Sequence, residues 1–498
     1  MSHYSSESLK RIGEKLYKLG GGDLKDLLGD QVQELSRHNY GYYLIYSRII
    51  SYYGLDKVLS RIEKRKKLSY NLNAAVSLLL LERLHDPCSK RSNFFHQEEY
   101  LGLEQVNLHH IYRCLDQLAD HHKLIQQKIY QTGRDSFNQK LDVVFYDVTT
   151  FYFDSDKERE DHIAQKGFGK DGKIGNTQVV FAMLIDHLKQ PIGYQLYSGK
   201  TWEGHTYSDM VERLKKEYDI DKVVLVADRG MLNKSNLEAT EKQGYEFIMG
   251  ERLKSLPAQL QDRLLDLDNY DHQWVSSGSD GIKIRYTKQS YKGRSIIATY
   301  SEKRKDKDQR DRERKLEKAE LLLKRPSELK KKAQHFFLKT DDDSHYQIDE
   351  EKIKRNARFD GFLAIAYNAT TLTEQQVLDH YHHLYQIEHS FRTFKSYLET
   401  RPMFHWNTKR IQGHICLCYM AYSLLSQLKI RLDRKGTKMT EQQIRDQLDK
   451  MQLSEIQQGE QSLYMRSNIS EQQKNLLNVV EAKPMPNVFP KNLINKYL

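Results

Sequence analysis

LDVVFYDVTTFYF (141–153) is the stretch whose reading decides the fold. β-branched and aromatic residues crowd it without helical spacing, which predicts a strand that brings Asp147 to its end, followed by Thr149 and Thr150. A second run, KVVLVADRGM (222–231), has the unbroken apolar character of a strand covered on both faces and stops at Asp228 and a glycine turn. Helical patterns, HTYSDMVERLKKEY (205–218) before it and NKSNLEATEKQ after it, predict an α/β sheet. QVVFAMLID (178–186) and PIGYQLYS (191–198) predict an antiparallel hairpin, and GFLAIAYNA (361–369) resumes the core pattern.

Outward from this centre the pattern changes. Residues 1–135 carry i, i+3, i+4 apolar spacing with breaks at Gly20–Gly22, Gly54 and Asp86–Pro87, which predicts an all-helical N-terminal domain. The core is read in two parts, 136–250 and 356–432, around an insertion at 251–355. Strand-like HQWVSSG, IKIRYTKQSY and RSIIATYS lead there into a charged run from Lys303, whose ordinary meaning is a solvated helix. IQGHICLCYMAYSLLSQLKIRL (411–432) predicts a long helix lying on the sheet, and 433–498 reads as a helical C-terminal region with an extended tail.

In 498 residues, 38% are apolar and only 8 are proline, so a large core can form and disorder cannot dominate. The net charge of +11 and the 32 tyrosines suit a polyanion such as DNA. No 18-residue apolar run and no signal sequence is present, which predicts a cytoplasmic protein without a membrane partner. Cys88, Cys114, Cys416 and Cys418 lack metal-finger spacing and are expected as packed, reduced thiols. The loop KGFGKDGKIGNTQ (166–178) fits neither nucleotide-binding glycine pattern; it reads as a hairpin turn, or as a phosphate contact through Lys166, Lys170 and Lys173.

YHHLYQIEHSFRTFKSYLETRPMFHW (381–406) adds a third acid. At about 100° per residue, Tyr381, Tyr385, Glu388, Arg392 and Lys395 share one helical stripe, beside an apolar stripe of Leu384, Ile387, Phe391, Phe394 and Leu398. Two readings stand: a surface helix with a Glu388–Arg392 pair, or a carboxylate set among groups that hold phosphates. Asp228 likewise reads as a helix cap or as a functional acid. Adjacent strand ends can bring Asp147 and Asp228 together, and a helix can add Glu388. Three carboxylates suit Mg²⁺ or Mn²⁺, and two such ions clamp the oxygens of an in-line phosphoryl displacement. DVTT also echoes the DxDxT strand of haloacid dehalogenase-type phosphatases, but Thr149 stands where that chemistry needs its second aspartate.

With Asp147 in DVTT, Asp228 in ADRG and Glu388 on its helix, the chain resembles the DDE transposases of bacterial insertion sequences, in the branch with a Y-x2-R-x3-E-x6-K signature. Here the signature reads Tyr381, Leu384, Glu388 and Lys395, with leucine for arginine; GFGKDGK, GKTWEGHT (199–206) and RPMFHW…IQGHI (401–415) resemble the same family. The resemblance implies a ribonuclease H-like core with a mainly β insertion, and an N-terminal domain that binds terminal inverted repeats. It implies Asp147, Asp228 and Glu388 as ligands of two Mg²⁺ ions, and Tyr381 and Lys395 on the DNA backbone, to which the stripe adds Arg392. It further implies cut-and-paste transposition of double-stranded DNA into target DNA through a hairpin, by a homodimer. A hairpin needs an aromatic platform for a flipped base. Trp274 is the candidate, followed by Trp202 and Trp406. A catalytically silent DNA-binding descendant is the alternative.

Overall fold

Both apolar runs become strands, because β-branched side chains pack well on a pleated surface and these sequences offer no polar face to leave in water. In the computed structural model, residues 11–13, 15–16, 32–137, 142–154, 162–167, 176–276, 283–324, 337–340, 346–458 and 461–498 are described. Seven elements recur below: α1 (Leu108–Phe137), β1 (Val143–Tyr152), β2 (Val224–Ala227), β3 (Glu246–Glu251), α2 (Glu374–His382), α3 (Tyr385–Arg392) and α4 (Thr408–Arg434). Backbone contacts divide the chain into two compact units. The first comprises 1–140, 148–201 and 388–498, and the second 141–147 and 202–387.

In the first unit, Thr177–Asp186 is buried at every residue and pairs antiparallel with Pro191–Ser198, the expected hairpin. α4 is buried almost all the way round from Ile411 to Leu432, as a helix inside a core must be. Tyr419 Oη donates to Pro191 O at 3.4 Å, and Gln126 of α1 accepts from Tyr194 N at 2.8 Å, so α1 and α4 both lie on this hairpin. The two helices cross where Gly413 lacks a side chain: a Cβ there would fall on the carbonyl oxygen of Leu115.

Further N-terminal, Gly41–Tyr53 and Leu55–Lys66 meet at Gly54, whose φ of 66° only glycine adopts at no cost. Leu72–His85 stops at Asp86, in extended backbone, because the residue before a proline is pushed out of the helical region. The expected all-helical N-terminal domain and helical C-terminal region need correction: both contribute strands to a four-stranded antiparallel sheet, whose polar, alternating sequences pair only through tertiary contact. Its order is Val32–Asn39, Gln452–Gln458, Gln461–Arg466 and Val488–Pro490.

In the second unit, β2 runs parallel to the start of β1, and β3 parallel to β2. Phe362–Tyr367 then pairs antiparallel with β3, followed by Arg294–Tyr300, Lys283–Tyr291 and His272–Val275. The strands between 272 and 300 therefore continue the sheet of β3. Glu203–Tyr218 and Lys234–Lys242 pack on each other through Tyr207 Oη and Thr240 Oγ1, 3.0 Å apart. The charged helix Glu302–Leu323 buries only Ala319 and Leu322. The fold is thus of the expected class, a mixed α/β sheet of the ribonuclease H-like type with added helical regions.

Gly413→Ala is expected to force α1 and α4 apart and to cost on the order of 1–3 kcal/mol, the usual range for overpacking. A urea midpoint equal to wild type would show that the crossing can relax.

Candidate active site

Parallel register sets the acids side by side. Tyr146 lies opposite Ala227, and Ala227 opposite Met249. The next residues, Asp147, Asp228 and Gly250, consequently stand at one level, Asp228 just past β2 and Gly250 next to the end of β3. Asp147 does not end its strand as expected: β1 runs on for five residues to Tyr152, because Val148, Thr149, Thr150 and Phe151 are buried and keep the extended pattern. Asp147 is half-buried and Asp228 exposed. Beneath them Tyr146 is fully buried, its hydroxyl 2.5 Å from Thr206 Oγ1, and burial, with the charge of Asp147 adding to it, pushes its pKa well above the ordinary tyrosine value.

The helix-cap reading of Asp228 does not hold. Asn233 caps Lys234–Lys242, its side chain accepting from Asn236 N at 3.0 Å. Asp228 has only its backbone engaged, Met231 N donating to its carbonyl at 3.0 Å. Its carboxylate makes no hydrogen bond or ion pair with the described residues, and neither does that of Glu388, also exposed, so the Glu388–Arg392 pair is absent too. Two of the three acids thus have no structural task that their surroundings reveal.

Tyr381 reaches the row formed by Asp147, Asp228 and Gly250. A Cβ on Gly250 would lie 2.5 Å from Tyr381 Oη and 2.9 Å from Arg229 N, so the glycine makes room for that hydroxyl beside the residue that follows Asp228. Three side-chain contacts fix α2, which carries Tyr381. Trp274 Nε1 donates to Asp379 Oδ1 at 3.0 Å, Lys288 Nζ to Glu374 Oε1 at 2.8 Å, and Gln375 Nε2 to Gln273 O at 2.8 Å.

Glu388 sits on α3 in the first unit. The helix is seated by Phe391 and Phe394, whose rings lie 6.1 and 5.3 Å from that of Phe181, and Ser390 Oγ accepts from Tyr422 Oη of α4 at 2.6 Å. Ile387, Phe391, Phe394 and Leu398 of the expected apolar stripe are all buried.

The polar stripe needs correction. It requires one unbroken helix, but α2 ends at His382 and α3 begins at Tyr385, with tight i→i+3 bonds from Leu384 N to Tyr381 O and from Ile387 N to Leu384 O. Thr393–Tyr397 then widens, Leu398 N reaching back five residues to Thr393 O. Overwinding at one end and underwinding at the other remove the constant phase that aligned Tyr381 with Lys395. Arg392 is exposed on α3, and Lys395 is half-buried in the wide turn.

Lys170 and Lys173 lie outside the described residues. Trp274 is 3% exposed, its N–H engaged by Asp379 and its ring 5.4 Å from that of His382, whereas Trp202 and Trp406 are 55% and 47% exposed. Gly250 escaped the sequence reading, although a glycine within an apolar strand was a signal of close approach. Also missed was the buried Glu82 carboxylate of the first unit. It accepts from Asn93 at 2.7 Å and Cys88 at 3.2 Å and lies 3.2 Å from His96 Nδ1, a mutually satisfied network. No helix among the described residues is long and apolar enough to cross a membrane.

Comparison with known proteins fits these elements. A family model described as "Transposase DDE domain" matches residues 138–424, more than half of the chain and the whole span from β1 to α4's central turns. The chain belongs to the DDE transposase family. No curated protein matches by sequence. Among solved structures, a piggyBac transposase synaptic complex with hairpin DNA resembles it at 10% identity and a TM-score of 0.39, over 82% of this chain and 78% of that one. A Mos1 transposase paired-end complex with the left transposon end resembles it at 11% identity and a TM-score of 0.16, over 35% and 57%.

Gly250→Ala is expected to displace Tyr381 and cost on the order of 1–3 kcal/mol in urea unfolding. Part of that cost should vanish in a Tyr381→Phe background, which removes the obstructing oxygen but leaves the crowding against Arg229; fully additive losses would dissociate the two residues.

Proposed function

We propose that the chain is an active, metal-dependent transposase that cleaves double-stranded DNA at the terminal inverted repeats of its element and joins the freed ends to target DNA. The observation that supports this most is the level placement of Asp147 and Asp228 on neighbouring parallel strands, with the Asp228 carboxylate left without a partner among the described residues. Hard carboxylate oxygens at one level of neighbouring strands, one of them exposed, fit Mg²⁺, with Mn²⁺ able to substitute. Asp147, Asp228 and Glu388 would hold two such ions, which supply charge neutralisation at the attacking and leaving oxygens.

In the first step the oxygen of a water attacks the phosphorus and the P–O3′ bond breaks. One fragment then ends in a 3′-OH, and the phosphate stays as the 5′-phosphate of the other fragment. That hydroxyl is the next nucleophile: it attacks a phosphorus of the opposite strand, whose P–O3′ bond breaks and releases the flanking DNA with a 3′-OH, and so closes a hairpin. A second water breaks the hairpin phosphodiester to restore the 3′-OH, which attacks a target phosphorus and displaces the target's own 3′ oxygen. Tyr381, Arg392 and Lys395, with Lys170 and Lys173, would position backbone phosphates. The exposed rings of Trp202 and Trp406 suit base stacking better than the enclosed Trp274. A homodimer pairs two element ends, and the helical N-terminal region binds the repeats.

Purified protein is expected to nick a duplex bearing the element's ends with Mg²⁺ but not with EDTA. Asp147→Asn, Asp228→Asn and Glu388→Gln should each lower cleavage by at least about a hundredfold while end binding persists. Binding without cleavage by the wild type, in any divalent metal, would instead favour a silent DNA-binding descendant, to which Leu384 in place of the signature arginine would be the clue. Lys395→Ala is expected to weaken binding and to reduce the slope of log K against log salt by about one; an unchanged slope would remove Lys395 from the phosphate contacts.

A further inference from the structure

Within the first unit a cavity of about 230 Å³ opens between the end of Leu72–His85 and the segment that leads into α4. Its lining is strongly basic. Arg83, Lys90 and Arg401 contribute three cations against the single carboxylate of Glu399, and His405 and His414 complete the wall. Arg83 and Lys90 are each 5% exposed. One arm of Arg83 is used, Nη1 donating to Leu398 O at 3.1 Å, while its Nε has no hydrogen-bond partner among the described residues. Lys90 makes no hydrogen bond or ion pair with any described residue, though its side chain lines the cavity.

A buried ammonium without a counter-charge costs several kcal/mol, and proteins tolerate one where something else supplies the charge. Burial, with the neighbouring Arg83, lowers the Lys90 pKa to about 7, and burial lowers that of His405 to about 3. The cavity by itself is therefore a poor place for its own cations, and no described acid lies within it to relieve them except Glu399 at its exposed edge. Planar guanidinium forks beside an ammonium match the oxygens of a tetrahedral oxyanion.

We propose that this cavity is an anion site that takes a phosphate group, held by the Lys90 ammonium with the guanidinium groups of Arg83 and Arg401. The phosphate is that of a DNA strand or a free one, and the cavity has room for part of the molecule that bears it. None of Asp147, Asp228 and Glu388 lines the cavity, so the site does not depend on the cleavage chemistry.

Thermal unfolding of the full chain in sodium phosphate, against sodium chloride of equal ionic strength, is the first measurement. A ligand that binds only the folded state raises the midpoint, and a rise of several degrees is expected for wild type. Lys90→Met, which keeps the stem and removes the charge, should lose that rise; Asp228→Asn should retain it. The second measurement compares short duplexes ending in a 5′-phosphate or a 5′-hydroxyl. A roughly tenfold preference for the phosphate, absent in Lys90→Met, assigns the site to DNA, whereas a phosphate-dependent midpoint without that preference assigns it to free phosphate. Wild type that responds to neither probe overturns the proposal, whether or not Lys90→Met folds, and so does a Lys90→Met protein that responds as wild type does.

Discussion

Everything at the candidate active site depends on the register between β1, β2 and β3. Side chains alternate faces along a strand, so a slip of one residue between β1 and β2 would turn one of the two aspartates to the opposite side of the sheet. The register is fixed by what is buried behind it: Val143, Val144 and Phe145 on β1, and Val224, Leu225 and Val226 on β2, are at most 6% exposed. Apolar packing on both faces thus determines where two charged groups emerge. The same register brings Gly250 to their level, and the absence of a side chain there admits the Tyr381 hydroxyl.

How much of this was legible in the sequence varies with physical cause. β1, β2 and Thr177–Asp186 could be read because strands covered on both faces must be apolar throughout. Gly54 and Pro87 marked helix ends through backbone constraints that act locally. The four-stranded sheet escaped notice because VQELSRHN and QLSEIQQ are rich in polar residues, and their pairing joins segments about 420 residues apart. No local pattern reports such a partner.

The acids were legible as candidates, and the environment that weighs them was not. Spacing suggested a cap for Asp228 and an ion pair for Glu388, and both readings depended on neighbours that the structure supplies differently: Asn233 takes the capping role, and Arg392 makes no ion pair with Glu388. Helical phase likewise assumed a uniform 3.6-residue turn between Tyr381 and Lys395, which the narrow turn at Leu384 and the wide one after Thr393 do not keep. The basic cavity is a product of tertiary structure, since Lys90 and Arg401 are more than 300 positions apart and neither looks unusual among 79 lysines and arginines.

The clamp on α2 has a mechanical meaning. Trp274, Gln273 and Lys288 belong to the outermost strands of the second unit's sheet, yet they grip the helix that ends at Tyr381. A hydrogen bond to a carboxylate contributes roughly 1.5–3 kcal/mol, enough to hold one helical turn in a single position. A shift of His272–Val275 or Lys283–Tyr291 would therefore loosen the tyrosine without altering either aspartate. Variation in these peripheral strands becomes a means of shifting Tyr381 while Asp147 and Asp228 stay where they are.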